Sequence, residues 1–344
     1  MAKLITGRVV ASDFRPAWWL RSAHLQTVWP SLFRPRRSLE VSWERLELAD
    51  GDFIDLAWRR TQGPRVLVIH GLEGSLESHY AFSLLYALEQ AGFCPVFMHL
   101  RGCGREPNRL ARSYHSGATG DLAEVLGQLD AREERPDALI GISLGGNLLL
   151  KYLGERGDDA LTRTAVAISV PFQLKTACRH MEQGVSRIYG RYLLDKLIRS
   201  CEEKKRLRKL PLPASLGKIR SIYEFDDRIT APLNGFRDAE DYYRQCSCTD
   251  YLKQVVKPTL ILHAMDDPLM PPDVVPGVEQ LGPGITLELS AHGGHVGFIE
   301  GLLPGFSRYW LERRVCEYLQ QQIGYINRGL RNPGSSRFHN IRHR

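Results

Sequence analysis

The sequence predicts an α/β fold: a mostly parallel central sheet with flanking helices and an inserted, largely helical cap. Three observations carry that expectation. Six short apolar runs, at residues 66–69, 95–99, 138–142, 165–170, 259–264 and 285–290, are each bounded by Gly or Pro. Most are continuously apolar rather than alternating, which is the pattern of strands covered on both faces. Between them, residues 78–90, 121–130 and 147–155 repeat apolar side chains every three or four positions, as crossover helices do. The fourth and fifth runs are separated by about 80 residues, and a structureless loop of that length is rare in a compact domain, so a cap is expected there.

In chain order, residues 1–40 are rich in Trp, Pro and Arg without a regular period and read as an arm packed on a folded body. Two β-prone stretches follow across 43–58, separated by Ala49-Asp50-Gly51-Asp52, whose Gly and Asp suit a tight turn, so a hairpin is expected. The alternating strand and helix signals then place the core at 41–170 and 255–323 and the cap at 171–254. Residues 324–344 carry five arginines, no acids and interspersed Gly, Pro and Ser, the composition of a loose tail.

Composition bounds the function. With 344 residues, 43% hydrophobic and 25% charged, the chain has the balance of a globular protein, not of a disordered, collagenous or coiled-coil one. It contains no run of about 18 apolar residues, so no membrane-spanning helix is expected. The first residues do not resemble a secretory signal, so a cytoplasmic location is expected. Seven scattered cysteines without a C-x-x-C pair suggest reduced thiols. The net charge of +7 is concentrated: residues 175–209 hold eleven Lys/Arg against four Asp/Glu, an excess equal to that of the whole chain. Such a run reads either as a solvated helix face or as a landing patch for an anionic membrane; it does not identify a nucleic-acid binder. Oligomeric state is not legible.

The sharpest local signal is Gly141-Ile142-Ser143-Leu144-Gly145-Gly146, a G-x-S-x-G between an apolar strand and a helical stretch. Gly141 and Gly145 keep clear the space that a serine on a strained strand-to-helix turn needs. An activated serine requires a base and a carboxylate to orient it, expected later in the chain in the order Ser, acid, His. The run 259–264 leads into Met265-Asp266-Asp267-Pro268. Asp267 is the candidate acid because Pro268 stiffens its loop; Asp266 is the alternative. After the last apolar run comes Ser290-Ala291-His292-Gly293-Gly294-His295-Val296-Gly297-Phe298. His295, after two glycines, is the candidate base, and His292 the other candidate. The H-x-x-H spacing lacks a helix or further ligands, so neither a metal nor another cofactor is expected.

A second oxyanion donor is expected in His70-Gly71-Leu72-Glu73-Gly74-Ser75, after the first apolar run. The backbone amides of Leu72 and Leu144 are the candidates. His70 reads as a loop-bonded residue, and His70, Gly71, Tyr114 and His115 are candidate pocket residues.

These motifs resemble the YheT-like branch of the α/β-hydrolases. The likeness also rests on Arg101-Gly102-Cys103, Glu106-Pro107-Asn108-Arg109 and Tyr114-His115-Ser116-Gly117. It continues in the arm pattern Phe14…Pro16…His24-Leu25-Gln26-Thr27…Pro30 and in the cap segments Tyr223-Glu224-Phe225-Asp226-Asp227 and Tyr242-Tyr243-Arg244-Gln245-Cys246-Ser247. Gly104-Arg105 departs from the family's more frequent Ser-Gly and would put a bulky cation at the pocket rim. The resemblance implies a serine carboxylesterase for short- to medium-chain or lipid-like esters, with Ser143, Asp267 and His295 as triad positions. Two rival readings remain: an acyltransferase with the same triad, and a non-catalytic ligand- or membrane-binding protein on a hydrolase fold.

Overall fold

The computed structural model describes residues 6–34, 39–208, 216–304 and 306–324; the expected tail lies, from residue 325, outside the described residues. The arm supplies β1 (Arg8–Ala11) and α1 (Ala23–Phe33), and the expected hairpin forms β2 (Ser42–Glu47) and β3 (Phe53–Trp58). The α/β core then runs β4 (Arg65–Ile69), α2 (Ala81–Gln90), β5 (Cys94–His99), α3 (Thr119–Ala131), β6 (Ala138–Ile142), α4 (Leu144–Arg156) and β7 (Thr164–Ile168). Nine strands form one sheet in the order β1-β9-β8-β7-β6-β4-β5-β3-β2, where β8 is Thr259–Ala264 and β9 is Ile285–Ser290. Within this sheet, among the described residues, only the β2–β3 and β3–β5 pairings are antiparallel.

Strand periodicity divides the core. On β4, Leu67 and Ile69 face a cluster with Leu126, Leu129, Leu149 and Leu153 of α3 and α4, while Val66 and Val68 face Leu84, Leu85 and Leu88 of α2 on the other side. Helix α4 is buried from Leu144 through Gly154, which explains why its sequence is apolar nearly all round.

The cap comprises α5 (Leu174–His180), α6 (Arg187–Arg208), the short α7 (Ile222–Phe225), a π-turn at Asp226–Thr230, α8 (Ala231–Leu233) and α9 (Ala239–Cys246). It has its own apolar cluster, including Leu194, Leu197, Phe225 and Tyr242. The 3₁₀ turn at Cys248–Gln254 belongs with the core instead, since Cys248 and Leu252 join the cluster around α4. Beyond β9, a two-strand hairpin of β10 (Ile299–Glu300) and β11 (Arg308–Tyr309) leads into α10 (Trp310–Ile323), which covers the α2 face.

The basic run of the cap does not form one patch. Lys175 and Arg179 pair with Glu240, Arg208 pairs with Glu106, and Lys204 is buried. Arg105 is also not at a pocket rim: its N–H donates to Asp55 Oδ2 and its guanidinium lies over Trp43, on the hairpin.

Candidate active site

Ser143 follows β6 directly and precedes α4, at the carboxyl edge of the parallel strands where loops converge. Its backbone is strained, with φ +52° and ψ −117°. The flanking glycines are required by close approach: a Cβ on Gly145 would lie 2.5 Å from the His70 carbonyl oxygen, and one on Gly141 2.4 Å from that of Gly145. Asn147, buried in the first turn of α4, donates to the carbonyls of Ser116 and Cys246 and accepts from the Cys248 N–H, tying the elbow to the end of the cap.

The loops after β8 and β9 bring the other candidates to this point. His295 Nε2 lies 2.9 Å from Ser143 Oγ, and its Nδ1 lies 2.8 Å from Asp267 Oδ2. Asp267 is buried, and its Oδ1 accepts the Leu269 N–H at 2.9 Å. The alternatives sit elsewhere: exposed His292 pairs with Asp266, which also accepts the Gly294 N–H, so this pair braces the histidine loop from outside. A proton on Nδ1 satisfies Asp267 and leaves Nε2 free to accept from the serine hydroxyl.

Gly71 brings its loop against the serine, a Cβ there lying 3.2 Å from Ser143 Cβ, and Leu72 follows. Leu144 opens α4, so its N–H has no carbonyl one turn earlier to bond. His70, by contrast, does not line the pocket. It is fully buried, its Nδ1 sits 2.6 Å from the Gly71 carbonyl and its Nε2 accepts the Leu100 N–H, while burial lowers its pKa to about 3. Its role is to shape the loop as a neutral ring. Gly71 likewise is not part of the wall of the cavity that reaches Ser143; its N–H donates to the Tyr80 hydroxyl.

Two cavities adjoin beside the serine. One is walled by apolar cap side chains including Leu174, Met181, Leu193 and Ile222, and reaches Ser143 and His295. The other does not reach Ser143; its mixed wall includes the polar side chains of Glu73, Tyr114, His115 and Lys204. They share Leu72, Leu144, Leu197, Asp226 and Tyr242. Burial dominates the electrostatics of these groups: it raises the Glu73 carboxyl, lowers His115 to about 4 and Lys204 to about 8, and pushes Asp226 up to about 6. The Lys204 ammonium spends its three donors on the Ala111 and Arg112 carbonyls and Ser113 Oγ. Asp226 is held by hydroxyls alone, Thr230 and Tyr243, both at 2.7 Å.

Sequence reasoning missed the support that the arm provides. Thr27 Oγ1 accepts the His295 N–H at 2.9 Å, and buried Gln26 bonds both the N–H and the carbonyl of Ile299 just beyond. Gly294 has φ +60°, and a Cβ there would lie 2.5 Å from the Ala23 carbonyl, so α1 and this loop are in direct backbone contact. Ser169, at the end of β7, accepts the Val296 N–H at 3.1 Å. Gln26 and Thr27, adjacent polar residues just before the apolar Val28-Trp29-Pro30, were the available signal.

A family model of the alpha/beta hydrolase fold matches residues 64–302. The chain is an α/β hydrolase. Within that family it belongs to the YheT-like branch, being 46% identical to the YheT protein of Escherichia coli (strain K12) over 90% of this chain and 93% of that one. It is 28% identical to the phospholipase ABHD3 of Bos taurus, over 92% of this chain and 80% of the relative. Among solved structures, the Pyrococcus furiosus esterase Pf2001 superposes with a TM-score of 0.54 at 16% identity, covering 92% of this chain and 98% of that chain, a likeness of fold. The chain is therefore an α/β hydrolase of the esterase and lipase type. Among the described residues no helix is long and apolar enough to cross a membrane.

Proposed function

We propose that this protein is a serine carboxylesterase whose nucleophile is Ser143. The observation that carries the reading is the unbroken chain from Ser143 Oγ through His295 to Asp267, with contacts of 2.9 and 2.8 Å. Ser143 attacks the ester carbonyl carbon while His295 Nε2 takes the hydroxyl proton, and Asp267 stabilises the imidazolium that results. The amides of Leu72 and Leu144 donate to the oxyanion, a contribution worth about 10²–10³ in rate per donor. Collapse breaks the bond to the alcohol oxygen, which leaves with the proton from His295, and water then repeats the sequence to free the acid and restore the serine.

The two cavities divide the substrate. The one reaching Ser143 suits an acyl chain of short to medium length, and the adjoining one, with Glu73, Tyr114 and His115 in its wall, suits the alcohol portion. Substrate class is thus a carboxylic ester with an apolar acyl group, in keeping with the lipase and phospholipase names of relatives.

The test is Ser143→Ala assayed against p-nitrophenyl esters of increasing chain length and with a fluorophosphonate probe. A fall in kcat of about 10⁶, as for triad serines elsewhere, together with lost labelling and an intact fold, is expected; undiminished turnover refutes the assignment. Added acceptor alcohols separate hydrolysis from acyl transfer by the products formed.

A further inference from the structure

The apolar cavity at Ser143 adjoins a third cavity, at the surface; both are lined by Cys178, Met181 and Ile222. Its rim carries Glu182, Arg187, Arg191 and Arg220. This mouth lies at the start of α6, which is fastened to the loop bearing Asp267 by a 2.6 Å bond from Ser186 Oγ to the Pro268 carbonyl. Beside it Val185, Ile188 and Tyr192 project into solvent, Ile188 being 66% exposed.

Two further segments extend the same face. The His24 ring of α1 stacks on Tyr189, with Nδ1 3.0 Å from its hydroxyl, so α1 lies against the start of α6. Helix α1 exposes Leu25, Val28 and Leu32, the last by 68%. On the far side, the Trp18 indole donates to the Leu302 carbonyl at 2.8 Å, which joins the arm to the loop between β10 and β11. There Leu302 and Phe306 are 83% and 74% exposed. Apolar side chains left together in water call for an apolar partner.

Charge names the partner. Residues 14–34, 183–194 and 301–309 contain arginines and no acid at all. Exposed Arg15, Arg21, Arg187, Arg191 and Arg308 form no ion pair among the described residues, unlike Lys175 and Arg179 elsewhere in the cap, which share Glu240 as a partner. Protruding apolar side chains among uncompensated arginines are suited to the interface of an anionic bilayer, where the chains enter the acyl boundary and the cations meet the headgroups.

We propose that this face docks on an anionic lipid bilayer and turns the mouth of the Ser143 cavity toward the membrane, so that the esters hydrolysed are membrane-resident lipids. The proposal rests on the esterase reading for its substrate but not for its docking. An acyl chain then passes from bilayer to apolar cavity along Met181 and Ile222 without crossing water.

The test uses the full chain carrying Ser143→Ala in flotation with phosphatidylglycerol and phosphatidylcholine vesicles, and the active chain for turnover. Binding to phosphatidylglycerol vesicles, weakened by salt and at least tenfold by the double substitution Leu302→Ser and Phe306→Ser, is expected. In the active chain the same pair should leave turnover of a soluble butyrate ester unchanged and reduce turnover of a vesicle-embedded ester. Equal binding to both vesicle types, or binding indifferent to the substitutions, overturns the proposal. A concentration-dependent dimer lost on substitution, with no vesicle binding, overturns it too and makes the face an interface between copies. Soluble turnover without vesicle binding sinks docking alone; vesicle binding without any ester turnover sinks the esterase reading alone.

Discussion

Replacing Thr27 with Val tests whether the N-terminal arm sets the geometry of the proposed catalytic base. The side chain keeps its shape but loses the oxygen that accepts the His295 N–H at 2.9 Å. Thr27 is only 9% exposed, so water does not readily replace that acceptor. An orphaned buried N–H costs about 1–3 kcal/mol. If the loop relieves that cost by moving, the imidazole shifts off the Ser143 hydroxyl and the penalty appears in the transition state. At 1.36 kcal/mol per tenfold, kcat should fall by about 5- to about 150-fold. KM for a soluble ester should hold, because Thr27 lines neither cavity at the serine. Thr27→Ser, which restores the oxygen, should recover most of the rate. The measurement is steady-state turnover of both variants beside their thermal unfolding. A Thr27→Val enzyme with the parental kcat and a normal Tm would refute the reasoning, as would an equal loss in Thr27→Ser.

Asp267→Asn should lower kcat by about 10⁴ through loss of the correct tautomer, whereas Asp266→Asn should stay near the parent, since an amide oxygen can still accept the Gly294 N–H; equal losses would mean that the wrong aspartate was chosen. Asp226→Asn should stabilise the fold near pH 7.5. The half-buried carboxyl is raised from 3.8 to about 6 by desolvation and faces Thr230, Tyr242, Tyr243, Cys178 and Cys246, so the folded state holds its proton more tightly than the unfolded chain does. That stability is complete below about pH 4 and is lost as pH rises through 6, at a cost of up to about 3 kcal/mol that the amide avoids. Urea midpoints at pH 4.5 and 7.5 check it, and a pH-independent difference between variant and parent would contradict it. Gly145→Ala should cost about 1–3 kcal/mol or more from overpacking against the His70 and Ile69 carbonyls; an unaltered urea midpoint would show that the elbow has more room than its geometry implies.

Much of the fold was legible because its signals are local. Each of the six apolar runs lies on a strand of the sheet, with ends shifted by a residue or two: the run 165–170 stops at Ile168 because Ser169 turns to φ +50°. Strand β1 was not legible. It is four residues at the sheet edge, exposed on most positions, and it gains its place only by pairing with β9 278 positions away, as in Val9 with Leu287 and Val10 with Glu288. Helix α1 was obscured because its face is partly polar and its outer side is apolar without cover.

The residues around the serine divide in the same way. Gly141, Ser143 and Gly145 could be read from spacing, because the clash that excludes a side chain arises within a few residues of the turn. Sequence position favoured His295 and Asp267 but left His292 and Asp266 as alternatives, since each pair shares a loop and both members can reach some partner. In the fold Asp266 meets His292 at the surface and Asp267 meets His295 beneath the cap.

Short-range pattern therefore specified the core strands, their crossover helices and the turn that holds Ser143, since these depend on side-chain period and on backbone sterics over a few bonds. The long-range assembly determined which imidazole meets the hydroxyl, what Thr27 and Gln26 hold, where the cap opens and which arginines stay without a counter-charge. Those outcomes depend on surfaces far apart in the chain excluding water from one another, and no local pattern encodes which surfaces will meet.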